Sequence, residues 1–475
     1  MSSPLKNFVG GDFVEPQTEQ TIDVVDPATE EVVAIQPVST EADVDAAVTT
    51  AKDAAATWGK ATPSARQKAL LALADALEAN SDALVEAQHR NTGQIKPIIA
   101  QEEVAVGADQ LRYFAGAARR LDGIAAGEYM EGMTSYVRRE PIGVVAQIAP
   151  WNYPLMMAIW KIGPALAAGN TVVLKPASTT PESTLELARI SQGILPDGVL
   201  NVILGSGSVT GDALVRHPVP GLVSITGSVA AGIKVAESAA PTLKRCHLEL
   251  GGKAPALVLA DVDPVEVASA LAGAAFFNAG QDCTAVTRVL VQESLHDALV
   301  AELVKAAEAT RTGDASDDTT DYGPLNNAQH FANVQRFIDE LPAHATVATG
   351  GKRVGERGYY YAPTVVTGVE QSDRIVQQEV FGPVITVQAV RDLDEAIQLG
   401  NDVDFGLASS VWTNDHKAAE RATRELDFGC VWVNTHIPLV AEFPHGGFKA
   451  SGYGKDLSLY SVEEYTRVKH IMSAA

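Results

Sequence analysis

Between residues 142 and 259 short apolar stretches alternate with longer amphipathic ones, and this alternation constrains the fold more than any other feature of the chain. The spacing predicts helices over Leu155–Ala168, Pro181–Gln192, Thr210–Arg216 and Val229–Ala239. Between and beyond them it predicts strands at Thr171–Leu174, Val199–Ile203, Leu222–Ile225 and Ala256–Val258. Strand–helix–strand repetition closes as a parallel sheet covered by helices on both faces. A second α/β series follows Asp263, with strands near Val286–Gln292, Val384–Ala389, Ser409–Trp412 and Cys430–Val433. Residues 40–118 read as helices, with Glu41–Trp58 and Ala65–Asn80 rich in Ala and Leu at spacings of three and four. Thr134–Gln147 is β-rich. Leu457–Met472 is mixed and suited to packing on another subunit. A chain of 475 residues exceeds the roughly 250–300 that one core supports, so at least two domains are expected.

Composition excludes several classes of function. The formal net charge of -23 repels phosphate backbones, so nucleic acid is not an expected partner. No apolar run reaches the roughly 18 residues of a membrane helix. The start, Met1-Ser-Ser-Pro-Leu-Lys6, lacks the apolar stretch of a signal peptide. A cytoplasmic protein is expected. Three cysteines, Cys246, Cys283 and Cys430, make no disulfide framework and fit no zinc spacing, so no metal is expected and a reducing compartment suits them. The acidic residues are spread along the chain, which suits a salt-loving host.

Four segments carry candidate chemistry. In Phe277-Asn-Ala-Gly-Gln-Asp-Cys-Thr284, Gly280 permits a turn that side chains would block. A thiol at a loop-to-helix junction there would meet amide donors that lower its pKa. Cys246 and Cys430 read as structural thiols. In His247-Leu-Glu-Leu-Gly-Gly-Lys253, Glu249 lies between two leucines. Burial there would raise its pKa toward that of a general base. In Pro150-Trp-Asn-Tyr-Pro154 two prolines stiffen the segment, so the Asn152 amide could donate to an oxyanion or cap the helix that follows. Ser224-Ile-Thr-Gly-Ser-Val-Ala-Ala-Gly232 runs from a strand through Gly227 into a helix whose amides face an anion, with Ser228 adding a hydroxyl. Neither this loop nor Gly205-Ser-Gly-Ser-Val-Thr-Gly211 matches the Gly-x-Gly-x-x-Gly fingerprint.

Together and in this order, these segments resemble the aldehyde dehydrogenases. Pro150-Trp-Asn-Tyr-Pro154, Thr226-Gly-Ser228, Glu249-Leu-Gly-Gly-Lys253, Gly280-Gln-Asp-Cys283 and Glu379-Val-Phe-Gly-Pro383 carry the resemblance, which runs from about Phe8 to the C-terminus. It implies an aldehyde dehydrogenase-like fold with two Rossmann-type α/β domains, cofactor and catalytic, plus a small β oligomerisation arm. The dinucleotide-binding domain is expected over 1–121 and 142–248, the catalytic domain over 249–440, and the arm over 122–141 and 441–475, in a homodimer or homotetramer. The resemblance further implies that Cys283 attacks the aldehyde carbonyl and that the alkoxide rests on the Asn152 amide and the Cys283 backbone N–H. Hydride then leaves, and Glu249 activates the water that hydrolyses the thioester.

For the cofactor the resemblance assigns Lys175 to the adenosine ribose, Gly227 and Ser228 to the pyrophosphate, and Glu379 and Phe381 to the nicotinamide side. Ile148 and Trp151 line the cofactor path. NAD⁺ is expected. NADP⁺ stays open because Ser178 stands where many NAD⁺-selective members carry a Glu that repels a 2′-phosphate.

The segment from Val431 to Gly447, together with Ser451-Gly-Tyr-Gly-Lys-Asp-Leu-Ser-Leu-Tyr460, is similar to the aminobutyraldehyde dehydrogenases. Tyr153 and Trp160, seven apart, fall on one helix face. The resemblance has such aromatics hold an ammonium at the entrance. Betaine aldehyde enzymes usually carry a Trp where this chain has His445, which favours a primary amine. Asp282 and Glu442 could add negative potential. 4-Aminobutyraldehyde is the expected substrate, with betaine aldehyde or succinic semialdehyde as alternatives. A carboxylated substrate would want a cation at the mouth, where only Arg288 suggests itself. A catalytically silent homologue and a cysteine hydrolase are the rival classes.

Overall fold

The computed structural model describes residues 4–120, 122–315, 317 and 319–474. The opening Met1-Ser-Ser lies outside them. Three of the five sheets among the described residues organise the chain, the other two being two-stranded ribbons. The first has eight strands in the order Asp12–Val14, Asn7–Val9, Leu200–Val202, Thr171–Lys175, Val144–Ile148, Leu222–Thr226, Arg245–Glu249, Gly452–Tyr453. Its five central strands are parallel, and the edge pairings are antiparallel. Four of the five parallel strands are followed by a helical segment, and the fifth, Arg245–Glu249, runs directly into the second sheet. This is a doubly wound sheet, and its winding reverses between Val144–Ile148 and Leu222–Thr226. Ligands of such sheets bind outside the carboxyl ends at that reversal.

The predicted elements appear with small shifts. Val229–Ala239, Val286–Gln292 and Cys430–Val433 keep their expected bounds, while the helix expected over Thr210–Arg216 splits into a π-helical turn, Gly207–Gly211, and Asp212–Arg216. Another π-helical segment, Ile99–Ala105, interrupts the N-terminal helices between Lys96–Ile98 and Val106–Ala117. Apolar periodicity does not reveal it, because one inserted residue leaves the flanking 3.6-residue rhythm intact.

The second sheet has seven strands in the order Thr346–Thr349, Thr364–Thr367, Val384–Val390, Val286–Gln292, Ala254–Val258, Ala408–Trp412, Cys430–Val433, all parallel except the first. Buried Val, Leu and Ala on the faces of the two large sheets form separate cores. The third sheet pairs Met133–Pro141 with Gly127–Met130 and, antiparallel over nine residues, with Thr466–Ala474. Of the C-terminal stretch 441–475, Gly452–Tyr453 instead closes the first sheet, and Leu457, Val462 and Tyr465 pack into a core of that sheet. No helix among the described residues is long and apolar enough to cross a membrane.

Candidate active site

The carboxyl end of the first sheet faces the amino ends of second-sheet strands across a cavity of about 430 Å³. Loops from both sheets converge there. Val144–Ile148 leads into Pro150-Trp-Asn, and Leu222–Thr226 leads into Gly227-Ser228. From the second sheet come the Gly251-Gly252 turn before Ala254, the Cys283 turn before Val286, and Glu379-Val-Phe381 before Val384. Close approach explains the glycines. A Cβ on Gly251 would lie 2.2 Å from a Glu379 carboxylate oxygen, and one on Gly252 2.1 Å from the Cys283 carbonyl oxygen.

Cys283 is half-buried and lines the cavity. The turn before it uses left-handed backbone at Asn278, Ala279 and Gly280. No helix follows the thiol. The chain enters the Val286–Gln292 strand instead, so the helix dipole expected at Cys283 is absent. Burial pushes its thiol well above the usual range, and the negative charges of Asp282, Glu379 and Glu249 add to this. The expected lowering is thus reversed, because burial and the neighbouring acids outweigh the one backbone N–H that contacts the sulfur.

Glu249 ends the Arg245–Glu249 strand, is buried, and has one oxygen without a hydrogen-bond partner among the described residues. Burial raises its carboxyl well above the usual range. Asp456 raises it further, while His247, Lys161 and Lys455 oppose the shift. A buried carboxyl with a high proton affinity, in the same cavity as a thiol, is equipped to take protons.

Asn152 does not cap the next helix. Tyr153 occupies the N-cap of Pro154–Ala168 without a side-chain bond. The Asn152 amide donates one hydrogen bond to the Gln281 carbonyl, 3.0 Å away. It has a second N–H and borders the same cavity as the sulfur.

Tyr153, Trp160, Asp282 and His445 also line the cavity. The aromatics are anchored inside the protein rather than displayed at an open mouth. The Tyr153 hydroxyl donates to Asp282 at 2.8 Å, and Trp160 Nε1 donates to Gln110 at 2.8 Å. Trp160 meets the His445 ring edge-on at 5.3 Å, and burial lowers the His445 pKa.

On the opposite wall Trp151 packs against His330 and Phe381 at 5.0 and 5.3 Å. Glu379 accepts from the Gly252 amide at 2.8 Å, and burial raises its pKa to about 7. Gly227 and Ser228 sit at the start of the 11-residue helix Val229–Ala239, where the Ser228 hydroxyl accepts from Ala231 N–H. The buried Thr226 hydroxyl beside them has no partner among the described residues. An anion-ready helix end, an unpartnered hydroxyl and a carboxylate across the gap fit a dinucleotide.

Three expected residues lie outside the cavity lining. Lys175 ends its strand and donates to the carbonyls of Pro176 and Gly205, 2.7 and 3.1 Å away, with burial lowering its pKa to about 8. Ser178 is in the following loop, its carbonyl accepting from Gln36. Ile148 packs against a core of the first sheet. The first two extend the same carboxyl edge that ends at Gly227.

Two further expectations fail. Arg288 is buried, its guanidinium donating to the carbonyls of Lys253, Leu399 and Gly400, so it offers nothing to a substrate. Glu442 borders a neighbouring hollow with Asp109, not the main cavity. Conversely Asp456, His330, Arg336 and Arg374 line the cavity without having been named as site residues, as does Thr226 of the Thr226-Gly-Ser228 motif. Asp456 lies inside the Ser451–Tyr460 stretch that carries part of the resemblance and Thr226 inside a matched motif, whereas His330, Arg336 and Arg374 had no local cue.

A doubly wound sheet whose winding reversal opens on a thiol, a buried carboxyl and an amide defines a nucleotide-type α/β protein with a cysteine-centred site. The comparisons specify the class: a model of the aldehyde dehydrogenase family matches residues 13–471, and the chain belongs to that family. It is 40% identical to phenylacetaldehyde dehydrogenase of Pseudomonas fluorescens, covering 99% of this chain and 96% of the relative. It is 37% identical to betaine aldehyde dehydrogenase of Bacillus subtilis strain 168, covering 98% and 96%. Among solved structures, betaine aldehyde dehydrogenase from Staphylococcus aureus in complex with NAD⁺ superposes with a TM-score of 0.96 at 35% identity, covering 99% of this chain and 95% of that one.

Proposed function

We propose that this chain oxidises an amino-aldehyde of the 4-aminobutyraldehyde class to its carboxylic acid, with NAD⁺ as acceptor. The convergence of Cys283, Glu249 and Asn152 on one cavity that also opens on the Gly227–Ser228 helix end carries the reading. The Cys283 sulfur attacks the aldehyde carbon, giving a tetrahedral thiohemiacetal. The Asn152 amide and the Cys283 N–H stabilise its oxyanion. When bound, NAD⁺ supplies the hydride acceptor that converts this adduct to a thioester. Gly227 and Ser228 would hold its pyrophosphate, Lys175 and Ser178 its adenosine ribose, and Glu379 and Phe381 its nicotinamide end, with Trp151 and Ile148 along the path. Glu249 then takes a proton from water as that water attacks the thioester. The acid departs and the thiol is restored. A silent homologue would have no use for this set, and a plain hydrolase none for the helix end.

A cationic substrate is supported by Asp282 and Asp456, carboxylates in the cavity beside Tyr153 and Trp160. The two arginines of the lining are engaged elsewhere, Arg336 with Asn333 and Arg374 with Gln378 and Glu340, which argues against succinic semialdehyde. Betaine aldehyde is the second reading, favoured by the activities named for the relatives. His445 in place of a third aromatic speaks for the primary amine. NADP⁺ is a candidate acceptor because Ser178 carries no repelling charge. The three sheets support the division into cofactor, catalytic and arm units, with the arm as the assembly surface of a cytoplasmic homo-oligomer. The charge of -23 supports activity in high salt.

Reduced-dinucleotide absorbance with 4-aminobutyraldehyde, betaine aldehyde, phenylacetaldehyde and succinic semialdehyde tests the reading, each with NAD⁺ and NADP⁺ at low and molar salt. The highest kcat/KM is expected for 4-aminobutyraldehyde. A preference for an uncharged or anionic aldehyde would overturn the substrate assignment, and no turnover at all would bring the silent homologue forward.

A further inference from the structure

The helix Pro154–Ala168 begins one residue after Asn152-Tyr153, so whatever fixes its first turn also fixes Asn152. Helix starts leave amides unpaired. Pro154 has no N–H, Tyr153 offers no side-chain cap, and the first intrahelical bond runs from Met157 N–H to the Tyr153 carbonyl. That leaves Leu155 N–H and Met156 N–H. Both are taken by side chains from distant helical segments. Leu155 donates to Gln88 Oε1 at 3.3 Å, and Met156 donates to Glu103 Oε2 at 3.0 Å.

These two acceptors belong to a buried chain of side chains that runs to the reacting loops. Gln88 Nε2 donates to Glu103 and, at 2.8 Å, to Gln94 Oε1. Gln94 Nε2 donates to the Asn152 carbonyl at 2.8 Å and to Asn278 Oδ1 at 2.9 Å. Asn278 Nδ2 donates to the same Asn152 carbonyl at 3.0 Å, and the Asn152 amide reaches the Gln281 carbonyl, two residues before Cys283. Gln88, Gln94 and Glu103 are 0%, 8% and 2% exposed. Glu103 belongs to the π-helical segment Ile99–Ala105, the one irregularity in this part of the helical layer and a type of insertion concentrated at functional places.

We propose that Gln88, Gln94 and Glu103 are positioning residues that set the Asn152 amide against the Cys283 sulfur, with Gln94 as the junction. They touch neither substrate nor cofactor. Their effect passes through the Asn152 carbonyl and the first turn of Pro154–Ala168. The proposal rests on the role of Asn152 given above. Burying this many polar groups is tolerable only because each is satisfied, and a satisfied network of this kind admits one geometry.

The test compares two reactions of the same sulfur. Alkylation of Cys283 by iodoacetamide needs the thiol but no oxyanion donor, whereas aldehyde oxidation needs both. In Gln94→Leu, kcat for the best aldehyde should fall by roughly tenfold or more, approaching the loss in Asn152→Ala, as removal of an oxyanion donor predicts. KM for NAD⁺ and the alkylation rate should stay within about twofold. A parallel fall in alkylation, or unchanged turnover, would overturn the proposal. Should Gln94→Leu not fold, Glu103 supplies the test. Glu103→Gln keeps the acceptor for Met156 while turning an amide toward Gln88 Nε2, so it should retain more turnover than Glu103→Leu, which should lose kcat with alkylation intact. Equal behaviour of those two variants would also overturn it. If Asn152→Ala turns over normally, the role of Asn152 itself fails. If Asn152→Ala is impaired but Gln94→Leu is not, only the network proposal fails.

Discussion

At the scale of single residues, the site is governed by crowded acids. Cys283 has Asp282, Glu379 and Glu249 near it, and burial and these charges all raise its pKa. The rate of Cys283 alkylation against pH should therefore have a midpoint above the ~8.5 of a free thiol. Asp282→Asn removes one negative charge and should move that midpoint down. A midpoint at or below the free-thiol value in the native enzyme would mean that amide donors outweigh the acids. Glu249→Gln should leave the first hydride transfer faster than turnover, seen as a burst of reduced dinucleotide in rapid mixing. A burst and steady state that fall equally would remove Glu249 from the hydrolytic step. The motif residues themselves were legible because each stands in a local pattern. The environment of Cys283 was legible only in part: Asp282 is its neighbour, but its burial and the charges of Glu249 and Glu379, 34 and 96 positions away along the chain, appear only in the fold. Gln88, Gln94 and Glu103 were not legible, since they lie in a helix, in the loop after it and in the π-helical segment, and become a network only when these meet the Asn152 loop.

At the scale of elements, the alternation of strands and helices gave the first sheet because parallel strands buried on both faces read as apolar runs. Element ends shifted where caps and close contacts, rather than periodicity, decide them. The turn at Gly280 is one such contact. Its φ is +66°, and a Cβ there would lie 2.2 Å from the Gly382 carbonyl oxygen. Gly280→Ala should cost about 2–4 kcal/mol, combining backbone strain with a clash that neither loop can relieve by a rotamer change. Denaturant unfolding would measure it, and a cost below about 1 kcal/mol would show that the loop moves freely.

A second case joins the Arg245–Glu249 strand to the C-terminal helix Ser458–Glu464. Buried His247 lies 3.2 Å from Asp456 and 2.6 Å from Glu464 and stacks on Tyr465. Burial disfavours its charge, but the two carboxylates outweigh this and raise its pKa to about 9 from 6.5. A raised folded pKa stabilises fully below the unfolded value and is lost as pH climbs through the folded one. On the order of 2–3 kcal/mol should disappear between pH 6.5 and about 9. The thermal midpoint of His247→Gln should be flatter across that window, and identical slopes for variant and native protein would refute the ion pair.

At the scale of the whole molecule, the two large sheets meet at the cavity, and the third stands apart. Both of its outer strands present apolar side chains, with Tyr129 and Met130 on one and Val468 and Met472 on the other, each 46–65% exposed. Apolar edge strands in water invite pairing with another chain. Sedimentation should find a dimer or tetramer, and Val468→Lys with Met472→Lys should shift it toward monomer. A native monomer would leave these edges unexplained. The partition into units was only partly legible: the strand Ala254–Val258, read from the sequence as part of the first series, lies inside the second sheet, so the crossing falls at Gly251-Gly252 rather than at the change of rhythm near residue 259. The return of the chain at Gly452–Tyr453 to the first sheet was not legible, because a two-residue strand has no periodicity.

That return has a consequence for synthesis. The Arg245–Glu249 strand waits for Gly452–Tyr453, and Met133–Pro141 waits for Thr466–Ala474. A growing chain therefore completes neither sheet until residues 452–474 have been made. Asp456, which flanks Glu249, arrives only then. The strand that carries Glu249 and the strand Met133–Pro141 are thus both completed from the same late stretch, and a chain that lacks it leaves both edges open.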